Sequence, residues 1–446
     1  MVGRQAPVDR YNFVGIIFFI LGLGSLLPWN FFITALDYFQ YKLNQTSHVS
    51  INGTEAIAKD EFHFSNWMAL LSQLPLLLFT LLNSFLYQWI PEKVRIAGSM
   101  VVMMLLFVLT AALVEVKMSP QNFFSVTMAT IWFINSFGAV SQGSLFGLVG
   151  LLPQKYSTLF LSGQGMAGTF AATAKLISMA NATDKETSAL AYFITACFGM
   201  LIAIVCFLTL PYLEFASYFL NKNKQADCEL EKKTELLQLE KNGGQDNTKL
   251  AFISVDNAEI GAGKLKTTEK PSVFRVLKKI WLMALCIVLV FTVTLAVFPA
   301  VTAAVKSAAV DKNWGDFFIP VCCFLLFNVM DWIGRSITSY ITWPGENSCL
   351  LPVLVLLRFV FIPLFMLCNI EDHFYLKPLF KQDAYYVVFM VLFALSNGYL
   401  VSIIFCYTPR KVLPEEVETA GALMTFFLAL GLSVGAGLSF LFRALV

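Results

Sequence analysis

Charge is scarce in this chain. Lys, Arg, Asp and Glu together make 13% of its 446 residues, about half the fraction of an ordinary soluble domain. Histidine is scarcer still. His48, His63 and His373 fall in polar stretches, with no metal-ligand spacing and no Ser/His/Asp set. That excludes the common catalytic and zinc constellations and argues against an enzyme. The net charge is only +2, and no basic tract is interleaved with aromatics, so nucleic acid is not an expected partner. Phosphate loops are missing too. Gly261-Ala262-Gly263-Lys264 is followed by Leu265 where Ser or Thr is needed, and the Ser162–Gly168 glycines follow no strand. Neither an ATP-driven mechanism nor a cofactor is expected. The nine cysteines include none between Asp37 and Asn66, and Cys197, Cys206, Cys286, Cys322, Cys323 and Cys406 lie in apolar runs. No disulfide framework is expected. Met1–Tyr11 lacks a cleavage-site pattern, so the first apolar run reads as a retained helix.

Apolar residues are abundant. They make 57% of the chain, and the mean hydropathy is +0.70. This composition predicts an all-α polytopic membrane protein. Eleven apolar spans can be drawn, at 12–36, 67–90, 96–115, 121–150, 156–180, 188–210, 276–304, 317–342, 350–369, 384–407 and 415–443. Two connections are long. Residues 37–66 carry sequons at Asn44 and Asn52, and residues 211–275 are rich in Lys and Glu before a Gly/Asn/Thr stretch. The second is expected to be a cytoplasmic, largely disordered linker. It divides the chain into a six-helix bundle, 1–210, and a five-helix bundle, 276–446. Late prolines in spans 1 and 7 (Pro28, Pro299) hint at a parallel repeat. The Lys/Arg excess in alternate loops puts the N-terminus in the cytoplasm, and an odd span count puts the C-terminus outside. The same orientation exposes Asn44 and Asn52 to glycosylation, leaving a third sequon at Asn181 close to the bilayer.

A few polar residues break the apolar spans. Asp331 and Arg335 fall inside 317–342. At a helix centre each charge costs about 2.5–3.5 kcal/mol on insertion scales. At 100° per residue, Asn328, Asp331 and Arg335 share an arc of about 60°. The pair could simply neutralise itself at i, i+4, and Arg335 could snorkel. The third polar residue favours a face lining a path through the membrane. In span 1, Trp29 and Asn30 follow Pro28 and could stack on and orient a planar ligand; Trp29 also suits an interfacial belt. Gln142 in span 4 could bond a neighbouring helix or read a base edge. Gly143, Gly147 and the Ser162–Gly168 glycines read as close helix packing. Lys175 and Arg358 are cations within apolar spans: the first is expected to snorkel, the second to bond carbonyls or a neighbouring helix. Glu415, Glu416 and Glu418 suit a helix N-terminus and could latch a gate to basic loops. Ser254, Thr267 and Thr268 are exposed modification candidates.

Several stretches resemble the equilibrative nucleoside transporter family. They are Pro28-Trp29-Asn30, Gln142–Gly147, Ser162–Gly165 and Phe327–Ser336, and the likeness covers nearly the whole chain outside the middle loop. Phe31–Ala35 and Glu186–Leu190 are most like the second mammalian type, which also accepts nucleobases. The resemblance implies a major-facilitator-like 6+5 arrangement whose halves rock around a central site. It implies sodium-independent, bidirectional facilitated diffusion of nucleosides and nucleobases at the plasma membrane, by a lipid-embedded monomer. By the same resemblance, Trp29 and Leu432 would pack on the base with Leu76 beside them, and Gln142 would hydrogen-bond it. Asp331 and Arg335 would hold the ribose hydroxyls, helped by Asn30. Ile33 and Gly138 would stand where subtypes differ in inhibitor sensitivity; Gly138 replaces an expected Ser, and Lys175 an expected apolar residue. A second hypothesis is a proton-coupled carrier using Asp331; a cation as near as Arg335 would keep that carboxylate ionised. A third is a membrane scaffold that moves nothing, which the polar face and broken helices oppose.

Overall fold

The computed structural model describes residues 7–35, 38–39, 42–43, 64–86, 89–116, 118–181, 185–220, 273–309, 312–370 and 377–445. The sequons at Asn44 and Asn52, the three histidines, and Ser254, Thr267 and Thr268 lie outside the described residues. The fold is helical. Long helices run through α1 (Phe13–Thr34), α2 (Phe64–Leu86), α3 (Ser99–Glu115), α4 (Pro120–Gly150), α5 (Gln154–Asn181) and α6 (Lys185–Thr209). After the middle segment come α7 (Val273–Val297), α8 (Leu326–Ile337), α9 (Leu350–Met366), α10 (Asp383–Tyr407) and α11 (Val417–Leu445).

Eight described helices are long and apolar enough to cross a membrane by length and composition. The run holding α5 is not among them, and its place explains why. Ser162, Gly163, Gln164, Gly165 and Gly168 are buried between α1 and α8, where close approach matters more than greasiness. A β-carbon on Gly22 of α1 would sit 2.0 Å from the Phe160 carbonyl oxygen, and one on Gly163 would sit 1.9 Å from that of Phe19. Glycine is what lets these two helices touch backbone to backbone.

The pairing of helices has a six-helix period. α1 packs on α5 as α7 packs on α11; α2 packs on α4 as α8 packs on α10; α5 meets α8 as α11 meets α2. Small residues recur at these contacts. Gly431 and Gly435 of α11 lie on the Val288 and Thr292 carbonyls of α7, and Gly334 and Gly398 join α8 to α10. The two prolines behave differently within this repeat. Pro28 lies inside α1, whereas Pro299 follows α7 across a cis bond from Phe298.

Three local breaks depart from plain apolar runs. The eighth span begins as Lys312–Phe318, widens into a π-helical turn over Ile319–Leu325 that contains Pro320, and only then becomes α8. Proline removes a ladder hydrogen bond, and π turns accommodate such gaps. A second π turn, Val94–Gly98, precedes α3 and turns Arg95 inward. The ninth run tightens to a 3-10 turn at Arg358–Val360, where Arg358 is tucked beneath the helix.

Candidate functional site

α8 presents one polar face to the middle of the bundle. Arg335 Nε donates to Asp331 Oδ2 at 2.7 Å, with side-chain exposures of 7% and 8%. Arg335 therefore does not snorkel; it turns inward, and its Nη1 reaches Gln164 Oε1 of α5 at 3.4 Å. Asn397 Nδ2 of α10 donates to the other Asp331 oxygen at 2.6 Å. Asn328 donates to the Phe324 carbonyl, one turn back, at 2.8 Å. Pair neutralisation and a polar face are thus both present: the pair is closed on itself and still borders a cavity.

That cavity has a volume of about 200 Å³ and draws its wall from both groups of helices. Trp29, Asn30 and Ile33 come from α1, Leu76 from α2, Gly138 and Gln142 from α4, Asn328, Asp331 and Arg335 from α8, and Leu432 from α11. Counting along the sequence puts Trp29 well outward of Gln142 and Arg335; in three dimensions all three border one space. Apolar and aromatic groups, among them Phe298 and Phe327 stacked at 4.1 Å, form much of the wall. Gln142 is 6% exposed and makes no hydrogen bond among the described residues. Its amide is available to a ligand, and one left unpaired in an apolar setting costs free energy.

The sequence does not single out several polar lining residues, among them Gln73, Gln164, Thr294 and Asn397. Gln164 is hidden in the sequence within the Ser162–Gly168 glycine motif. Asn397 and Gln73 are amides inside apolar runs, the same signal that singled out Gln142. Gln73 Oε1 is buried without a hydrogen-bond partner among the described residues. Arg358 contacts Val290 and Phe393 carbonyls at 3.5 Å, as expected of an isolated cation.

The two ends of the cavity differ. Toward the C-terminal ends of α1 and α11 a second cavity of about 520 Å³ begins, sharing Ile33, Thr34, Pro299 and Phe324 with the first. Lys175 and Arg443 line it. Lys175 thus lines a cavity, because the middle of α5 packs between α1 and α8. The opposite end is shut. Arg95 Nη2 donates to Glu418 Oε1 at 2.5 Å, and Arg95 Nη1 reaches Ser144 at 3.2 Å and Asn83 at 3.5 Å. Lys279 pairs with Glu416 at 2.5 Å, and Phe146 of α4 stacks on Phe405 of α10 at 4.2 Å. Gly147 and Gly421 bring α4 and α11 into backbone contact beside the Arg95 pair. Glu415 has no ion pair among the described residues.

The model of the nucleoside transporter family matches residues 128–444. The chain belongs to the nucleoside transporter family. Equilibrative nucleoside transporter 2 of Homo sapiens is 60% identical over 458 residues, covering 100% of both chains. Equilibrative nucleoside transporter 1 of Homo sapiens is 46% identical over 466 residues, again covering 100% of both. Among solved structures, the major facilitator superfamily proton:xylose symporter XylE superposes with a TM-score of 0.60 at 11% identity, covering 98% of this chain and 89% of that one. A human organic anion transporter superposes with a TM-score of 0.52 at 14% identity, covering 98% and 95%. The fold is therefore of the major facilitator kind, and this nucleoside transporter family member is a carrier, not an enzyme.

Proposed function

We propose that this protein carries nucleosides across the plasma membrane by facilitated diffusion, in both directions and without sodium. Nucleobases are substrates as well. The observation that carries the reading is the composition of one cavity wall: a flat indole, unpaired amides and a closed charged pair, gathered from both groups of helices. An uncharged solute with one planar end and one hydroxyl-rich end fits such a wall. Trp29, Leu76 and Leu432 take the base faces, and Gln142 takes a base edge. Asp331 and Arg335, with Asn30 and Asn328 nearby, take the ribose. Ile33 and Gly138, on the same wall, set inhibitor sensitivity.

Eleven membrane helices in a 6+5 arrangement, divided at the 211–275 linker, move as two halves in a monomer. The six-helix period of contacts supports that division. With the N-terminus cytoplasmic and the C-terminus outside, the larger cavity opens outward and the Arg95–Glu418 end is the closed inner gate. Substrate then acts by stabilising the occluded state over both open states. A proton-coupled cycle would need Asp331 to shed its cation; Arg335 holds it at 2.7 Å.

Uptake of uridine and hypoxanthine into proteoliposomes, with and without proton and sodium gradients, tests this reading. Both compounds should equilibrate and never accumulate. Gradient-dependent accumulation would establish coupling instead, and absence of uptake of either compound would favour a scaffold.

A further inference from the structure

A polar chain runs from the cavity wall into the bundle behind it. Asp331 Oδ1 accepts from Asn397 Nδ2 at 2.6 Å. Asn397 Oδ1 in turn accepts from Arg358 Nη1 at 2.9 Å and lies 2.7 Å from Thr294 Oγ1. Arg358 Nη2 donates to that hydroxyl at 3.0 Å. Four helices, α7 to α10, meet here. Asp331, Asn397 and Thr294 border the central cavity; Arg358 does not. Arg358 is 1% exposed, and its guanidinium sits 5.0 Å from the centre of the Phe393 ring.

A guanidinium only donates, whereas a carboxamide both donates and accepts. Arg358 therefore obliges Asn397 to turn its oxygen toward α9. The amino group must then face Asp331. The opposite amide rotamer would oppose donor to donor at Arg358 and acceptor to acceptor at Asp331. With Arg358 in place, each oxygen of Asp331 has a fixed partner: Asn397 on one side, Arg335 on the other. Burying a second cation is costly, and a bundle that only needed to fill this space could use an apolar side chain.

We infer that Arg358 is a positioning residue for sugar recognition, acting through Asn397 to fix the Asp331 carboxylate and so the Arg335 fork beside it. The inference rests on the assignment of the ribose to Asp331 and Arg335. A residue that merely supports the bundle would change how much protein folds. A positioning residue changes which nucleoside the folded protein prefers.

The experiment reads that preference as a ratio. Purified protein is titrated with uridine and with 2′,3′-dideoxyuridine, and each apparent Kd is taken from the ligand-induced rise in unfolding temperature. The ratio does not depend on the amount of protein recovered. Arg358→Met is expected to shrink the preference for uridine about tenfold, the size of one charge-assisted hydrogen-bond system, with dideoxyuridine binding little changed. Arg358→Lys restores part of it. Thr294→Val, nearly isosteric, shrinks it in the same direction and decides the matter if Arg358→Met cannot be purified. An unchanged ratio in Arg358→Met, or in Thr294→Val failing that, overturns the inference. Asp331→Asn separates the two levels. If it also leaves the ratio unchanged, the ribose assignment is wrong; if it collapses the ratio while the other variants do not, only the role of Arg358 is wrong.

Discussion

Gly168 of α5 lies so close to Asn328 of α8 that a β-carbon on it would sit 1.9 Å from Asn328 Oδ1 and 3.1 Å from Asn30 Oδ1. The absence of a side chain here lets one asparagine from each group of helices approach the cavity. Gly168→Ala should force Asn328 off its bond to Phe324 and part α5 from α8. Overpacking of this kind costs about 1–3 kcal/mol. Uridine uptake per molecule at the cell surface should fall about tenfold or more, chiefly through a raised KM. Parent-like kinetics would show that the α5–α8 contact is slack.

Glu418 holds the closed end through Arg95, whose side chain is only 4% exposed. Glu418→Gln keeps the shape and removes the charge. A hydrogen bond between charged groups contributes about 1.5–3 kcal/mol, so the balance should shift about tenfold or more toward opening at this end. Cys406, buried in α10 and next to Phe405 in sequence, reports on it. Its labelling by a permeant maleimide, followed by mass spectrometry, should speed up by a similar factor. Equal rates in parent and variant would mean that the glycine and aromatic contacts hold this end without the ion pair.

The polar face of α8 was legible in the sequence because Asp331 and Arg335 are energetic anomalies in a greasy run, and Asn328 falls on their side at helical spacing. Gln142 stood out for the same reason, and the family likeness supplied Leu76 and Leu432, which are apolar and carry no local signal. Depth was not legible. Linear counting separated Trp29 from Gln142, and only the packing of the helices brings them to one wall. Nor was the contact between α5 and α8: Gly165 and Gly168 advertise close packing without saying what packs. Asn397 and Arg358 meet across 39 residues of sequence, and an isolated cation does not announce its partner. The outward and inward ends were readable only as charge in loops.

The sequons at Asn44 and Asn52 give an independent reading of orientation. If residues 37–66 face outward, Asn44→Gln and Asn52→Gln should each remove one glycan. The double variant should match the mobility of glycosidase-treated parent protein on a gel. A parent already insensitive to glycosidase would remove this support for the assigned orientation of both cavities.

Asp331 and Arg335 carry the most demanding prediction, because each supports the other as well as the substrate. Removing one member of a buried pair leaves an uncompensated charge and costs about 3–5 kcal/mol. Arg335→Ala also gives up the reach to Gln164 and the packing of Cδ against Gly165. It should abolish measurable uridine uptake. Asp331→Asn keeps the volume and one acceptor, and Asn397 can still donate to that acceptor; the loss should be about a hundredfold in uptake efficiency, with protein still reaching the surface. Arg335→Lys is the informative intermediate. It keeps the charge beside Asp331 but not the planar fork that meets two acceptors at once. If the pair only neutralises itself, Lys should restore uptake nearly fully. If the fork grips vicinal hydroxyls, Arg335→Lys should resemble Asp331→Asn for uridine yet transport hypoxanthine, which has no ribose, at close to the parent rate. Surface biotinylation beside the two uptake assays distinguishes these outcomes.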